Sequence, residues 1–264
     1  MRRSRFYLLS WIKSINNLTV GSDINITVIQ YRTDESRLHE QRCFQDQFSK
    51  LGVEFEFINA IEEDLSTDVI EDTHGLILGG STEFSLSKLD WGDHTWIDTS
   101  FNILNELTNR ELPTLGICFG YHLIALHQGG KITNEDKYHQ SGSFQLSLSQ
   151  HKHKCDIFSN LPEEFYAQLG HVDTPVDLPE NGLSLASSNE VPHQAFKVED
   201  RPVWGVLFHP ELNKQRAKER LAMFLDCEVG SEEFNQEVKK LESSPESQRV
   251  IHEFIKFTNR KCHE

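Results

Sequence analysis

The chain has 264 residues, 37% apolar and 25% charged, with 26 basic against 41 acidic side chains and a net charge of −15. That length suits one sizeable domain with short additions, and 17 Phe supply more core material than a disordered chain carries. The acidic balance argues against nucleic acid as a main partner, and no apolar run approaches the ~18 residues of a membrane span.

Residues 1–22 carry Arg2, Arg3, Arg5 and Lys13 without an acid, so the remainder holds 22 basic and 41 acidic residues, net −19. This leader reads as a surface-docked extension, without the small-residue cleavage site of a secretory signal. From Ile24 the text alternates. Ile24–Gln30 predicts a strand. Ser36–Leu51 predicts a helix with Leu38, Cys43, Phe44, Phe48 and Leu51 on one face, stopped by Gly52. Val53–Ile58 and Gly75–Leu78 are further strands, the latter running into Gly79-Gly80. Trp91–Arg110 predicts a helix with Trp96, Ile97, Phe101, Leu104 and Leu107 as its stripe. Thr114–Cys118 is a short strand, and Phe119–Gln128 a helix ending at Gly129-Gly130. Such βαβα alternation implies a mostly parallel sheet covered on both faces.

Beyond Lys131 short strands over Phe144–Leu148, Glu164–Leu169, Leu183–Ser187 and Gln194–Val198 predict an antiparallel section. Val203–Phe208 is an apolar strand, and Lys214–Leu225 a helix with Leu221, Phe224 and Leu225 inward. Helices around Glu232–Leu241 and Gln248–Phe257 complete the chain, the second with Val250, Ile251, Phe254 and Ile255 at docking spacing. The expected organisation is a basic extension over 1–22, a domain over 23–227 and a helical tail over 228–264.

Chemistry concentrates at strand ends. Gly116-Ile117-Cys118-Phe119-Gly120 closes a strand and opens a helix, the pattern of a nucleophile elbow with Cys in place of Ser. Helix-start amides there favour a thiolate and can hold an oxyanion. The other four Cys lack this setting and read as ordinary thiols, and no CxxC pairing marks a disulfide framework or a zinc site. A reducing compartment, by default the cytoplasm, follows. Phe208-His209-Pro210-Glu211 follows another strand, so His209 reaches the same sheet edge and Glu211 can turn back to fix its tautomer. Leu78-Gly79-Gly80-Ser81 brings backbone amides to a third strand end.

These three segments, in this order from about Ile24 to Leu225, resemble the class I (triad) glutamine amidotransferases, above all the GMP-synthetase-like amidotransferase domains. The resemblance implies an α/β, flavodoxin-like fold: a mostly parallel central sheet with helices on both faces and a small antiparallel section. It implies Cys118 as nucleophile, His209 as base, Glu211 as the orienting carboxylate, and the amides of Gly80 and Phe119 as oxyanion donors. Softer matches put Gln140, Gly142, His171 and Asp173 on the substrate side. Pro192–Phe196 is similar to the segment preceding the family's last strand. The sequence departs from the family where His122 replaces a Gln, Gln140 a Glu and Gly170 a Ser.

The implied reaction is acyl transfer through a Cys thioester on a γ-glutamyl amide, without cofactor or metal. The sequence shows neither a GxxxxGK[ST] loop nor a Ser-Gly-Gly-x-Asp-Ser loop, so synthesis of GMP by this chain alone is not expected. Three readings stand: an inactive binding module on the same fold, a free-standing γ-glutamyl peptide hydrolase, or a glutaminase feeding a separate synthetase subunit.

Overall fold

The computed structural model describes residues 24–107 and 110–264; the basic segment 1–22 lies outside them, as do residues 108–109, while the helix predicted to reach Arg110 is described as far as Leu107. Five strands run parallel in the order β2-β1-β3-β4-β11: β1 (Ile24–Gln30), β2 (Val53–Asn59), β3 (Gly75–Leu78), β4 (Thr114–Ile117) and β11 (Val203–Val206). That is the flavodoxin-like order of an open doubly wound sheet. The sheet continues antiparallel through β10 (Ala195–Val198), β9 (Gly182–Ser187), β6 (Gln140–Leu148) and β7 (Glu164–His171), making nine strands. β5 (Lys131–Thr133) and β8 (Thr174–Asp177) pair separately, a small ribbon absent from the sequence expectation.

Successive strand residues face opposite layers, as the two-residue strand repeat requires. Ile26, Val28, Ile77, Leu115 and Ile117 enter one core, whereas Ile29, Leu76 and Leu78 enter the other. The first core is covered by α1 (Ser36–Phe48), through Phe44 and Phe48, and by α6 (Pro245–Cys262). Val250, Ile251, Phe254 and Phe257 of α6 are buried, with the rings of Phe254 and Phe257 edge-on to Trp204 at 6.1 and 5.1 Å. The second core is covered by α2 (Thr95–Leu107) and α3 (Phe119–His127), through Trp96, Ile97, Leu123 and Ile124.

Two helical faces differ from expectation. On α1 the inward stripe is Ser36, His39, Glu40, Cys43, Phe44 and Phe48, while Leu38 (54%) and Leu51 stand exposed. Three polar members of that stripe join a charge network beneath the strand ends, which an apolar count overlooks. On α4 (Lys214–Phe224) the buried residues are Ala217 and Arg220; Leu221 and Leu225 are half-buried and Phe224 is exposed. The cause is placement: α4 borders a cavity, so its apolar side chains line an opening. Phe101 of α2 is also half-buried rather than fully inward. Apart from these helices, α5 (Glu232–Lys239) precedes α6 and buries Phe234.

Candidate active site

Register brings three strand ends level. Leu78 pairs with Gly116 and Val206 with Ile117, so Gly79-Gly80, Cys118 and Leu207-Phe208-His209 all leave the same carboxyl edge of adjacent strands. Open α/β sheets build their sites at that edge.

Cys118 sits between β4 and α3 with φ 51° and ψ −99°, a left-handed backbone that a residue with a Cβ adopts only under constraint. Tight packing supplies the constraint. A Cβ on Gly116 would lie 2.5 Å from Gly120 O, and one on Gly120 2.1 Å from Leu78 O, so only glycines fit on either side of the bend. Cys118 N–H donates to Val206 O at 2.8 Å and Gly120 N–H to Gly79 O at 3.0 Å, tying the bend to both neighbours.

His209 Nδ1–H donates to Glu211 Oε1 at 2.9 Å, which leaves Nε2 for the sulfur side. Cys118, His209 and Glu211 are 4%, 5% and 0% exposed. Burial alone lowers the pKa of His209, but the Glu211 charge and a hydrogen bond with Cys118 outweigh it and raise the value to about 9. Burial likewise favours a neutral Glu211, yet the His209 and Arg220 charges reverse the effect and hold its pKa below the usual carboxylate range. The arrangement therefore stores a proton on the imidazole beside the thiol.

Gly80 completes the group. A Cβ there would stand 2.8 Å from Arg32 Nη2, 3.0 Å from His209 Cε1 and 3.6 Å from Cys118 Cβ. Gly79 N–H is committed to Ile29 O at 2.9 Å, whereas the amides of Gly80 and Phe119 have no acceptor among the described residues. Two free amides next to the sulfur are the geometry that receives an oxyanion.

A cavity of about 640 Å³ opens over these atoms, with Cys118, Phe119 and His209 in its wall. A matching family model, glutamine amidotransferase class-I, spans residues 41–226. This chain belongs to the class-I glutamine amidotransferases. Relatives of this amidotransferase include the glutamine-hydrolysing GMP synthase subunit of Methanococcus aeolicus, 38% identical over 119 residues, 44% of this chain and 60% of that protein. The corresponding subunit of Methanococcus vannielii is 34% identical over 140 residues, 53% of this chain and 71% of that protein. Thus the first relative is matched over less than two thirds of its length. Among solved structures, a Thermotoga maritima glutamine amidotransferase superposes with a TM-score of 0.67 at 17% identity, covering 90% of this chain and 98% of that one. One from Methylobacillus flagellatus gives 0.62 at 17% identity, covering 89% and 90%. At such identity these two speak to the fold.

The expected substrate-side residues of the amidotransferase gather at one end of the cavity, where most of their polar atoms are engaged. Asp173 accepts from Ser85 Oγ at 2.8 Å and from Asn134 Nδ2 at 3.0 Å, which ties loop 81–89 to the β7–β8 turn. His171 Nδ1 lies 3.1 Å from Asp173 O and 3.3 Å from Thr174 Oγ1, and its Nε2 lies 3.2 Å from Gln140 Oε1, so the single N–H of the neutral ring serves one of the two carbonyl oxygens. Gln140, at the start of β6, donates to Ser188 Oγ at 3.1 Å and Glu190 Oε2 at 3.0 Å, and accepts from Gln194 at 2.6 Å. Burial lowers the pKa of His171 to about 3 and of His122 to about 4, so both rings are neutral. His122 Nε2 is enclosed without a hydrogen-bond partner. Gly142, at φ 111°, has open space where a Cβ would stand.

Sequence reasoning missed a charged layer beneath these residues. Arg32 Nε pairs with Glu40 Oε1 at 3.2 Å with both side chains buried, and Arg32 Nη1 donates to Ser36 Oγ at 3.0 Å. A Cβ on Gly79 would meet Glu40 Oε2 at 3.2 Å, so the pair directly underlies the glycine loop. Arg220 Nε donates to His39 Nδ1 at 3.1 Å, and its Nη2 lies 3.9 Å from Glu211 Oε1. Behind His209, Gln168 O accepts the His209 amide at 2.8 Å. The available signal was position: Arg32 stands two residues past the carboxyl end of β1, the edge where sites form.

Proposed function

We propose that this amidotransferase hydrolyses a γ-glutamyl amide through a Cys118 thioester. Cys118, as the thiolate whose proton His209 holds, attacks the γ-carbonyl carbon, and the resulting oxyanion is received by the Gly80 and Phe119 amides. The carbon–nitrogen bond then breaks while His209 gives its proton to the departing nitrogen. Water next attacks the thioester carbon, His209 takes a proton from it, and the sulfur leaves with free glutamate as product. Glu211 keeps Nδ1 protonated and stabilises the imidazolium, as an orienting carboxylate does.

The observation that carries this reading is the buried Cys118–His209–Glu211 array, with two free amides beside the sulfur. Family membership and the names of the GMP synthase relatives support glutamine as the amide, with ammonia passing to a separate synthetase subunit. Incubation with glutamine, scored for glutamate and ammonia, tests it. Equal release of both products that vanishes in Cys118→Ser is expected. Undiminished release by that variant would overturn the thioester route.

A further inference from the structure

The lining of the cavity over Cys118 falls into two unlike sets of residues, termed its arms. Ser81, Ser85, His122, His139, Ser141 and Asp173 make one arm polar. The other consists of residues that follow His209 and of the segment after α5: Leu212, Ala217, Leu221, Phe224 and Leu241. Four of these pack as a single apolar cluster with Cys43, and Phe224 extends it toward solvent. Only six large apolar side chains are exposed among the described residues, and two of them, Phe224 (44%) and Val172 (46%), border this one cavity.

Polar groups in the apolar arm are mostly engaged, and Arg220 Nη2, which has no hydrogen-bond partner, is enclosed. Gln168 Oε1 accepts from Ser143 Oγ at 2.8 Å, and its Nε2 donates to Glu242 O at 2.9 Å and Ser244 Oγ at 3.0 Å. Arg220 Nε is bound to His39, and Nη2 is enclosed next to Glu211. An occupant of this arm therefore meets mainly carbon, with the Arg220 and Gln168 side chains also in the wall.

Proton transfer decides which part of a substrate lies there. The departing nitrogen must come within hydrogen-bond reach of His209, so whatever that nitrogen carries projects toward the residues around His209. Leu212 N–H donates to His209 O at 3.1 Å, which starts the apolar arm on the same turn as the acid. Ammonia would leave the arm empty. A cavity of about 640 Å³ also suits a ligand larger than a free amino acid, given the ~300–1,000 Å³ of small-molecule sites.

From this geometry we infer that the His209 side is an apolar leaving-group subsite, and that the preferred substrates are γ-glutamyl amides of amines bearing a bulky aliphatic or aromatic group. This rests on the acyl-transfer chemistry above and sets larger γ-glutamyl amides in place of glutamine as the preferred substrates. The bonds made and broken are those already given, with the apolar amine taking the proton from His209.

The test is kcat/KM for glutamine, γ-glutamylglycine, γ-glutamylleucine and γ-glutamylphenylalanine, on the unaltered protein and on Leu221→Ser and Phe224→Ser. Leu221 is half-buried and Phe224 exposed, so both variants are expected to fold, which circular dichroism checks. The phenylalanine-to-glycine ratio is expected to be about tenfold or more, the scale of apolar pocket discrimination, and to fall toward one in both variants through KM. A ratio near one in the unaltered protein, or one that both variants leave intact, overturns the inference. Faster turnover of glutamine than of every peptide also overturns it, assigning the arm to ammonia passage or a partner's side chain while the acyl-transfer reading stands. If no amide is turned over and a glutamine-like chloroketone fails to label Cys118, both readings fall.

Discussion

The two halves of the sheet divide the work. Its parallel half supplies the reacting groups from short, fully buried strands whose ends lie level. The antiparallel half supplies a wall from longer strands that alternate between buried and exposed positions. Buried parallel strands fix an atom tightly because neighbours on both faces constrain them. Gln140 and Gly170 of the wall depart from the family pattern, as does His122 on α3, whereas Cys118, His209 and Glu211 match it. On the proposed function, the reacting groups sit in the more tightly constrained half and the substrate side in the other.

Substitutions in the two halves should therefore differ in size. Among those that leave the sulfur in place, Glu211→Gln is expected to have the largest effect, lowering kcat/KM by roughly 10²–10⁴-fold, the scale of losing an orienting carboxylate. It also carries a pH signature. Without the Glu211 charge, burial dominates and the pKa of His209 falls from about 9. The alkaline limb of Cys118 labelling by a chloroketone then moves to lower pH, by about one unit or more. An unmoved limb would separate Glu211 from the imidazole. The same pair couples folding to pH. Because the folded pKa of His209 is raised, its stabilisation is complete below the ordinary imidazole range and is lost as pH rises through the folded value. Because that of Glu211 is depressed, its stabilisation is present above the ordinary carboxylate range and is lost on acidification.

Next in size is Gly80→Ala. The new methyl would press on Arg32 Nη2 and His209 Cε1 and displace the Gly80 amide, with about 10²-fold loss of kcat, the scale of one oxyanion donor. Rates within twofold of the unaltered protein would detach that loop from the chemistry. Smaller still is Asp173→Ala in the wall. It removes the shared acceptor of Ser85, Ser87 and Asn134, for about 1–3 kcal/mol of stability, with kcat changed less than by either substitution in the parallel half. A loss of kcat matching that of Glu211→Gln would erase the contrast between the halves. Thermal unfolding and initial rates read both quantities.

Much of this was legible in the sequence because strand ends advertise themselves. An apolar run stopping at Gly79-Gly80, at Cys118 between two glycines, or at His209-Pro210 marks both the strand and the site. The charged layer was not legible. Ser36, His39 and Glu40 look like an exposed helix face by polarity, yet they point inward because Arg32 and Arg220 are buried there to meet them. Periodicity reads apolar stripes and is blind to a stripe made of paired charges. Phe224 misled in the opposite direction, since an apolar residue on the stripe of α4 faces a cavity rather than the core. The β5–β8 ribbon escaped because its short segments carry little alternation.

The most direct measurement is acid quenching during turnover of a γ-glutamyl amide, followed by mass analysis of the intact protein and its peptides. The account predicts a γ-glutamyl adduct on the peptide containing Cys118 and on no other, released by hydroxylamine and missing from Cys118→Ser. Glutamate formation without any adduct, from a protein whose Cys118→Ser variant remains as active, would contradict it.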